Sequence, residues 1–170
     1  LIKPTPFGHV GLFAEQMEQW QWIADTVEQF IAKEGRPPVL LNLFAYTGGS
    51  TLAAARAGAS VTHVDAAKGV VDWAHRNADI NGLSERPIRW IVDDCAGFVE
   101  REIRRDRTYD GVILDPPTFG RGKKNEVWTI DENLSPLLKG LSKLVNQDPA
   151  LLLLTCHSPG YTPIALTQLA

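Results

Sequence analysis

The chain has 170 residues, 44% hydrophobic and 22% charged, which suits one ordinary globular domain and excludes a disordered or fibrous chain. Its formal net charge of −3 excludes a protein that binds nucleic acid over its whole surface, so any such partner must be held by a local patch. No apolar run approaches the roughly 20 residues of a membrane-spanning helix; Cys95 and Cys156 are too far apart for a disulfide framework, so a reducing cytoplasm and no membrane or metal role are expected.

Ile2 to Gly11 carries two prolines and two glycines and reads as a loop. From Leu12 to Lys33, apolar residues at Phe13, Met17, Trp20, Ile23, Ala24, Val27, Phe30 and Ile31 recur every three or four positions, predicting an amphipathic cover helix that Gly35 and Pro37-Pro38 stop. Residues 1–37 therefore read as a loop and cover helix on the core of a single domain, 38–170. Val39 to Phe44 is a short strand buried on both faces, followed by the Gly48-Gly49 turn and an alanine-rich helix. The paired glycines allow positive φ and a close approach of ligand to backbone. In an open α/β sheet, the crevice at the carboxyl end of such a strand takes a nucleotide-like ligand. The G-x-G-x-x-G spacing that cradles a dinucleotide pyrophosphate is absent.

Ser60 to Asp65 is the second strand, ending on a carboxylate 17 positions beyond Gly48, where an acid reaches the ribose hydroxyls of a ligand on the first turn. Val70 to Ile80 is helical and stops at Asn81-Gly82, with His75 on its solvated side. Ile88 to Val92 is the third strand and runs into Asp93-Asp94-Cys95, where one carboxylate can accept an exocyclic amine and Cys95 packs as a small apolar residue. Tyr109 to Leu114, the fourth strand, leads into Asp115-Pro116-Pro117-Thr118-Phe119. Each proline holds the preceding residue extended and brings no N–H, so the turn offers preorganised acceptors to a base nitrogen. Phe119 can stack on an extruded base, and the loop Arg121-Gly122-Lys123-Lys124 beside it can meet phosphates or simply be solvated. A helix from about Glu132 to Val145 precedes the fifth strand, Ala150 to Leu154, whose apolar run is that of a buried central strand.

Asn42 to Gly49 resembles the cofactor loop of the class I S-adenosylmethionine-dependent methyltransferases. Gly8 to Gln16, Asp72 to Gly82 and the Asp115-Pro116-Pro117-Thr118-Phe119 turn resemble the bacterial branch that methylates large-subunit ribosomal RNA. Thr155-Cys156-His157-Ser158 is similar to the Ser/Thr-Cys-Ser segment of its cytosine carbon-five members, with histidine in place of the usual serine.

The resemblance implies an α/β Rossmann-like fold with parallel strand order 3-2-1-4-5 and helices on both faces. The family's terminal antiparallel hairpin has no counterpart, which implies a truncated domain. It also implies that S-adenosylmethionine, leaving as S-adenosylhomocysteine, meets Phe13, Gln16, Asn42, Phe44, Ala45, Tyr46, Thr47 and Gly48. Asp65, Ala66, Asp94, Cys95 and Asp115 complete that set, while Pro116, Pro117, Phe119, Lys123 and Lys124 face the substrate. The expected reaction is methyl transfer to cytosine carbon five of ribosomal RNA, with Cys156 as nucleophile and Asp115 orienting the base. Related guanine-modifying enzymes share the turn without the cysteine, so direct transfer to a purine ring nitrogen or exocyclic amine is the alternative. A non-catalytic RNA-binding scaffold is a third.

Overall fold

The computed structural model describes residues 11–121 and 127–169. Its strands are Val39–Leu43 (β1), Ser60–Asp65 (β2), Ile88–Val92 (β3), Gly111–Leu114 (β4), Phe119–Arg121 (β5), Val127–Thr129 (β6) and Leu151–Leu154 (β7). Its helices are Met17–Glu34 (α1), Gly49–Ala57 (α2), Lys68–Ile80 (α3), Cys95–Arg104 (α4), Ile130–Leu141 (α5) and Pro163–Leu169 (α6). Five strands pair in parallel in the order β3-β2-β1-β4-β7, the 3-2-1-4-5 arrangement expected when β7 is counted fifth. β5 and β6 form a separate antiparallel pair, in which Arg121, expected in a loop, ends β5; the rest of that expected loop, 122–124, lies outside the described residues.

Alternation along the strands sorts the core into two layers. Leu41 and Leu43 of β1 join Val112 and Leu114 of β4 and pack with Phe98 and Val99 of α4 and Leu137 and Leu141 of α5. Leu40 and Ile113 face the other way, onto Ile23 and Val27 of α1 and Ala54 and Ala55 of α2. Asn42 lies on this second face, one pleat beyond Leu40, and so meets α2 beneath the turn that follows β1.

The expected cover helix begins later than Leu12: Ala14–Gln16 is a 3₁₀ turn, and α1 ends at Glu34, capped by left-handed Gly35, whose N–H donates to Ile31 O at 2.9 Å. The ring of Phe13 and the side chain of Met17, placed on the buried stripe by periodicity, are 41% and 67% exposed. The fifth strand, expected to be buried and central, is instead an edge strand, β7, and Leu152 is 59% exposed, because among the described residues nothing pairs beyond it. At the opposite end of the sheet from the strand tips, buried Asp110 is gripped by both Arg36 nitrogens (2.7 and 2.8 Å), Val39 N–H (2.8 Å) and Asn146 Nδ2 (2.8 Å), tying β1 to β4. The Arg36 guanidinium beside it holds its carboxyl below the usual range.

Candidate functional site

The carboxyl ends of β1, β2, β3 and β4 open into one cleft of about 460 Å³. Asn42, Phe44, Ala45, Tyr46 and Thr47 line it from the β1–α2 turn, Asp65 and Ala66 from the tip of β2, and Asp94 and Cys95 from the start of α4. Asp115, Pro116 and Pro117 line it from the turn after β4, and Phe13 and Gln16 close it from the N-terminal segment. Gly48 is not itself a lining residue, though its neighbours Thr47 and Gly49 are. Neither Cys156 nor Phe119 lines the cleft, whereas Thr155 and His157 do. Lys123 and Lys124 fall outside the described residues.

The β1–α2 turn is tight for a backbone reason. Phe44 (φ 54°), Tyr46 (φ 49°) and Gly48 (φ 91°) all take positive φ, which for the two aromatic residues costs on the order of 1 kcal/mol or more each. Surrounding bonds enforce it: Ala45 N–H donates to Val64 O (3.1 Å), Thr47 Oγ1 to Gly11 O (2.7 Å) and Asn77 Nδ2 to Thr47 O (3.0 Å). Below the turn, Asn42 Nδ2 donates to Thr51 Oγ1 at 2.8 Å, and the Thr51 hydroxyl shares a hydrogen bond of 2.9 Å with His63 Nδ1. His63 is fully buried, and desolvation lowers its pKa to about 3. It is therefore neutral at physiological pH.

Asp65 is fixed by two backbone donors, Tyr46 N–H on Oδ2 and Ala67 N–H on Oδ1, each at 3.0 Å. Burial raises its pKa against those two bonds, and each oxygen retains room for one more donor. Asp94 caps α4 by accepting Gly97 N–H on Oδ2 at 2.6 Å, while Asp93 is taken up by Arg101 and lies outside the cleft lining. Cys95 is buried, which pushes its thiol far up and leaves it a packing group, as expected. Asp115 is held from two sides: Gln16 Nε2 donates to Oδ2 at 2.7 Å and Thr155 Oγ1 to Oδ1 at 2.5 Å, with His157 Nε2 3.9 Å from Oδ1. Its carboxylate is two-thirds covered yet keeps acceptor capacity on both oxygens.

The family model for S-adenosylmethionine-dependent methyltransferases matches residues 9–167, from the N-terminal segment past β7. The chain belongs to this family. The methyltransferase is 39% identical over 127 residues to a "Ribosomal RNA large subunit methyltransferase K/L" of Methylococcus capsulatus, covering 74% of this chain and 17% of that protein. It is 36% identical over 153 residues to the protein of the same name from Shewanella frigidimarina, covering 89% and 20%. The chain thus spans about a fifth of the length of these curated relatives. Among solved structures, an S-adenosylmethionine-dependent methyltransferase from Agrobacterium tumefaciens matches with a TM-score of 0.90 and 43% identity over 97% of this chain and 51% of its own. A methyltransferase complexed with SAH shares the fold at a TM-score of 0.80 and 24% identity, over 94% of this chain and 40% of its own.

The cofactor of this methyltransferase is S-adenosylmethionine, and the cleft suits it on the structure's own terms. Asp65, Asp94 and Asp115 set three carboxylates around it, and Gln19 and Trp20 line it as well, with Gln19 Oε1 and Trp20 Nε1 buried and without a partner among the described residues. Sequence reasoning missed these two, together with Trp128, Thr155 and His157. Trp128 forms part of the wall, its ring 4.7 Å from Phe44 and its Nε1–H on Pro117 O at 2.8 Å. No periodicity signals it, because β5 and β6 have three residues each.

Proposed function

We propose that this methyltransferase modifies a base of large-subunit ribosomal RNA in the cytoplasm, by direct transfer to a nitrogen. One observation carries the reading: Asp115, braced by Gln16 and Thr155, faces the same cleft as Asp65 and Asp94. The names of the relatives support the RNA substrate. When bound, S-adenosylmethionine supplies an electrophilic methyl group on a sulfonium.

The protein's residues do the rest. Asp65 accepts the two ribose hydroxyls on the spare capacity of its two oxygens, and Asp94 Oδ1 accepts the adenine amine. Phe13, Phe44, Ala45, Tyr46, Thr47, Gly48, Ala66 and Cys95 shape the pocket around the nucleoside. Asp115 and the Pro116 carbonyl accept from the target base, orienting its nitrogen and binding the positive charge that develops on it. Where the acceptor is an exocyclic amine, the proton that must leave has the Asp115–His157 pair beside it. Bracing both oxygens before substrate arrives reduces the reorganisation left to the reaction itself.

Nitrogen is favoured over cytosine carbon five because Thr155 and His157 line the cleft and Cys156 between them does not. The carbon-five reading keeps one support, that Cys156 is only half-buried and directly follows the residue bonded to Asp115. RNA carrying 5-fluorocytosine separates them. On the nitrogen reading no denaturation-resistant complex forms, and Cys156→Ala methylates at nearly the wild-type rate. A trapped complex that Cys156→Ala abolishes would establish the covalent route instead. RNA binding without methyl transfer in the wild type would favour a scaffold.

A further inference from the structure

The β5–β6 hairpin has two unlike faces. Its register pairs Phe119 with Thr129, Gly120 with Trp128 and Arg121 with Val127, so Gly120 and Trp128 share one face while Phe119, Arg121 and Val127 share the other. The Trp128 face is turned inward, 7% exposed, and its indole N–H holds the Pro117 carbonyl. On the opposite face Phe119 is 55% and Val127 56% exposed, and Arg121 is exposed with no carboxylate partner among the described residues. Folding gives no reason for that face, since an exposed phenylalanine forgoes about 1.5–3 kcal/mol of burial.

The hairpin is also held in place at its root. Ile130 N–H donates to Thr118 O at 3.1 Å, and the hydroxyls of Thr118 and Ser158 meet at 2.6 Å. A fixed ribbon therefore offers an aromatic ring and an unpaired guanidinium beside the candidate cleft. Arg121 reaches the cleft wall, whereas Phe119 stays outside it. A ring outside the cleft cannot sandwich the base that is inside. A ring and a cation two residues apart on one strand face match the flat base and the charged phosphate of a nucleotide lying along the rim.

We propose that this outer face binds the unpaired nucleotide next to the target in single-stranded RNA, Phe119 stacking on its base and Arg121 contacting its phosphate. The proposal rests on the RNA-methylating reading and gives it a substrate class: an unpaired segment rather than a regular duplex. This moves Phe119 from the extruded base itself to its neighbour.

The test is fluorescence anisotropy with a labelled short single-stranded RNA of mixed sequence, and with the same strand annealed into a duplex. Phe119→Ala is expected to weaken single-strand binding by about 5- to 150-fold, the loss of one base stack. Phe119→Trp should restore it, and duplex binding should change far less. Arg121→Ala should lower the slope of log affinity against log salt by about 0.7, the share of one phosphate contact on a single strand. S-adenosylmethionine affinity by calorimetry should stay at the wild-type value in both Phe119 variants, which shows that the cleft is intact.

Single-strand affinity within twofold of wild type in Phe119→Ala, equal losses on single strand and duplex, or no single-strand binding by the wild type would each overturn the proposal. A changed molecular mass in solution with unchanged RNA affinity would make the face a protein contact and also overturn it. Methylation of extracted RNA is measured separately. Phe119-dependent binding without methylation removes the proposed reaction and keeps the surface, and methylation indifferent to Phe119 does the reverse.

Discussion

Lowering the pH should destabilise the protein through one buried histidine beneath the cofactor turn. His63 has a pKa of about 3 when folded against 6.5 ordinarily, and its Nδ1 shares a hydrogen bond with the Thr51 hydroxyl. Because the folded value is the lower one, the unfolded chain takes up a proton that the folded chain refuses. The histidine's contribution is thus whole above about pH 6.5 and is lost as pH falls toward 3. At pH 5 the difference amounts to about 2 kcal/mol, and between pH 7.5 and 5 nearly all of it appears. For a chain of this size that is a fall in Tm of about 4–8 °C. Asp65, raised by burial, acts in the opposite sense over the carboxylate range, so the wild type alone does not isolate the effect. Urea denaturation of wild type and His63→Asn at both pH values does, since every other group is common to the two. The variant should start less stable and lose about 2 kcal/mol less between pH 7.5 and 5. Parallel losses in the two proteins would refute the assignment of a neutral, buried His63.

Three other substitutions probe the site and its support. Asp65→Ala should weaken S-adenosylmethionine binding by about 10- to 150-fold, the loss of roughly one charge-assisted hydrogen bond; calorimetry giving an unchanged Kd would remove Asp65 from the cofactor. Gly49→Ala places a Cβ 2.5 Å from the Trp20 ring, so overpacking should cost about 1–3 kcal/mol and shift α1 against the cleft, read as a lower Tm and a weaker cofactor Kd together. Asp110→Ala strips the acceptor from Arg36, Val39 and Asn146 at the far end of the sheet. It should cost about 2–4 kcal/mol by urea denaturation while leaving cofactor affinity unchanged at temperatures where the protein is folded.

The sheet was legible because its strands are short, apolar and closed by unmistakable tips. β2 and β3 fall on the expected residues, and their acids, with Asp115, arrive at one cleft because parallel order puts every carboxyl end on the same edge. β1 stops at Leu43 rather than Phe44, since Phe44 turns to positive φ, and no aromatic residue advertises that conformation in a sequence. The braces on Asp115 were invisible for another reason: Gln16 lies 99 residues away and Thr155 lies 40, distances at which no local pattern operates. The hairpin that carries Phe119 and Trp128 is too short to show a period of two against noise. Its two faces, and with them the separate places of the two aromatics, come only from pairing.

Mass spectrometry of nucleosides tests the central claim most directly. Purified protein is incubated with isotopically methyl-labelled S-adenosylmethionine and large-subunit ribosomal RNA lacking the modification, and the RNA is then digested. One labelled base is expected, on a nitrogen, with Cys156→Ala retaining it and Asp115→Asn losing most of it while still binding the cofactor. Label on no RNA base, or full labelling by Asp115→Asn, would contradict it.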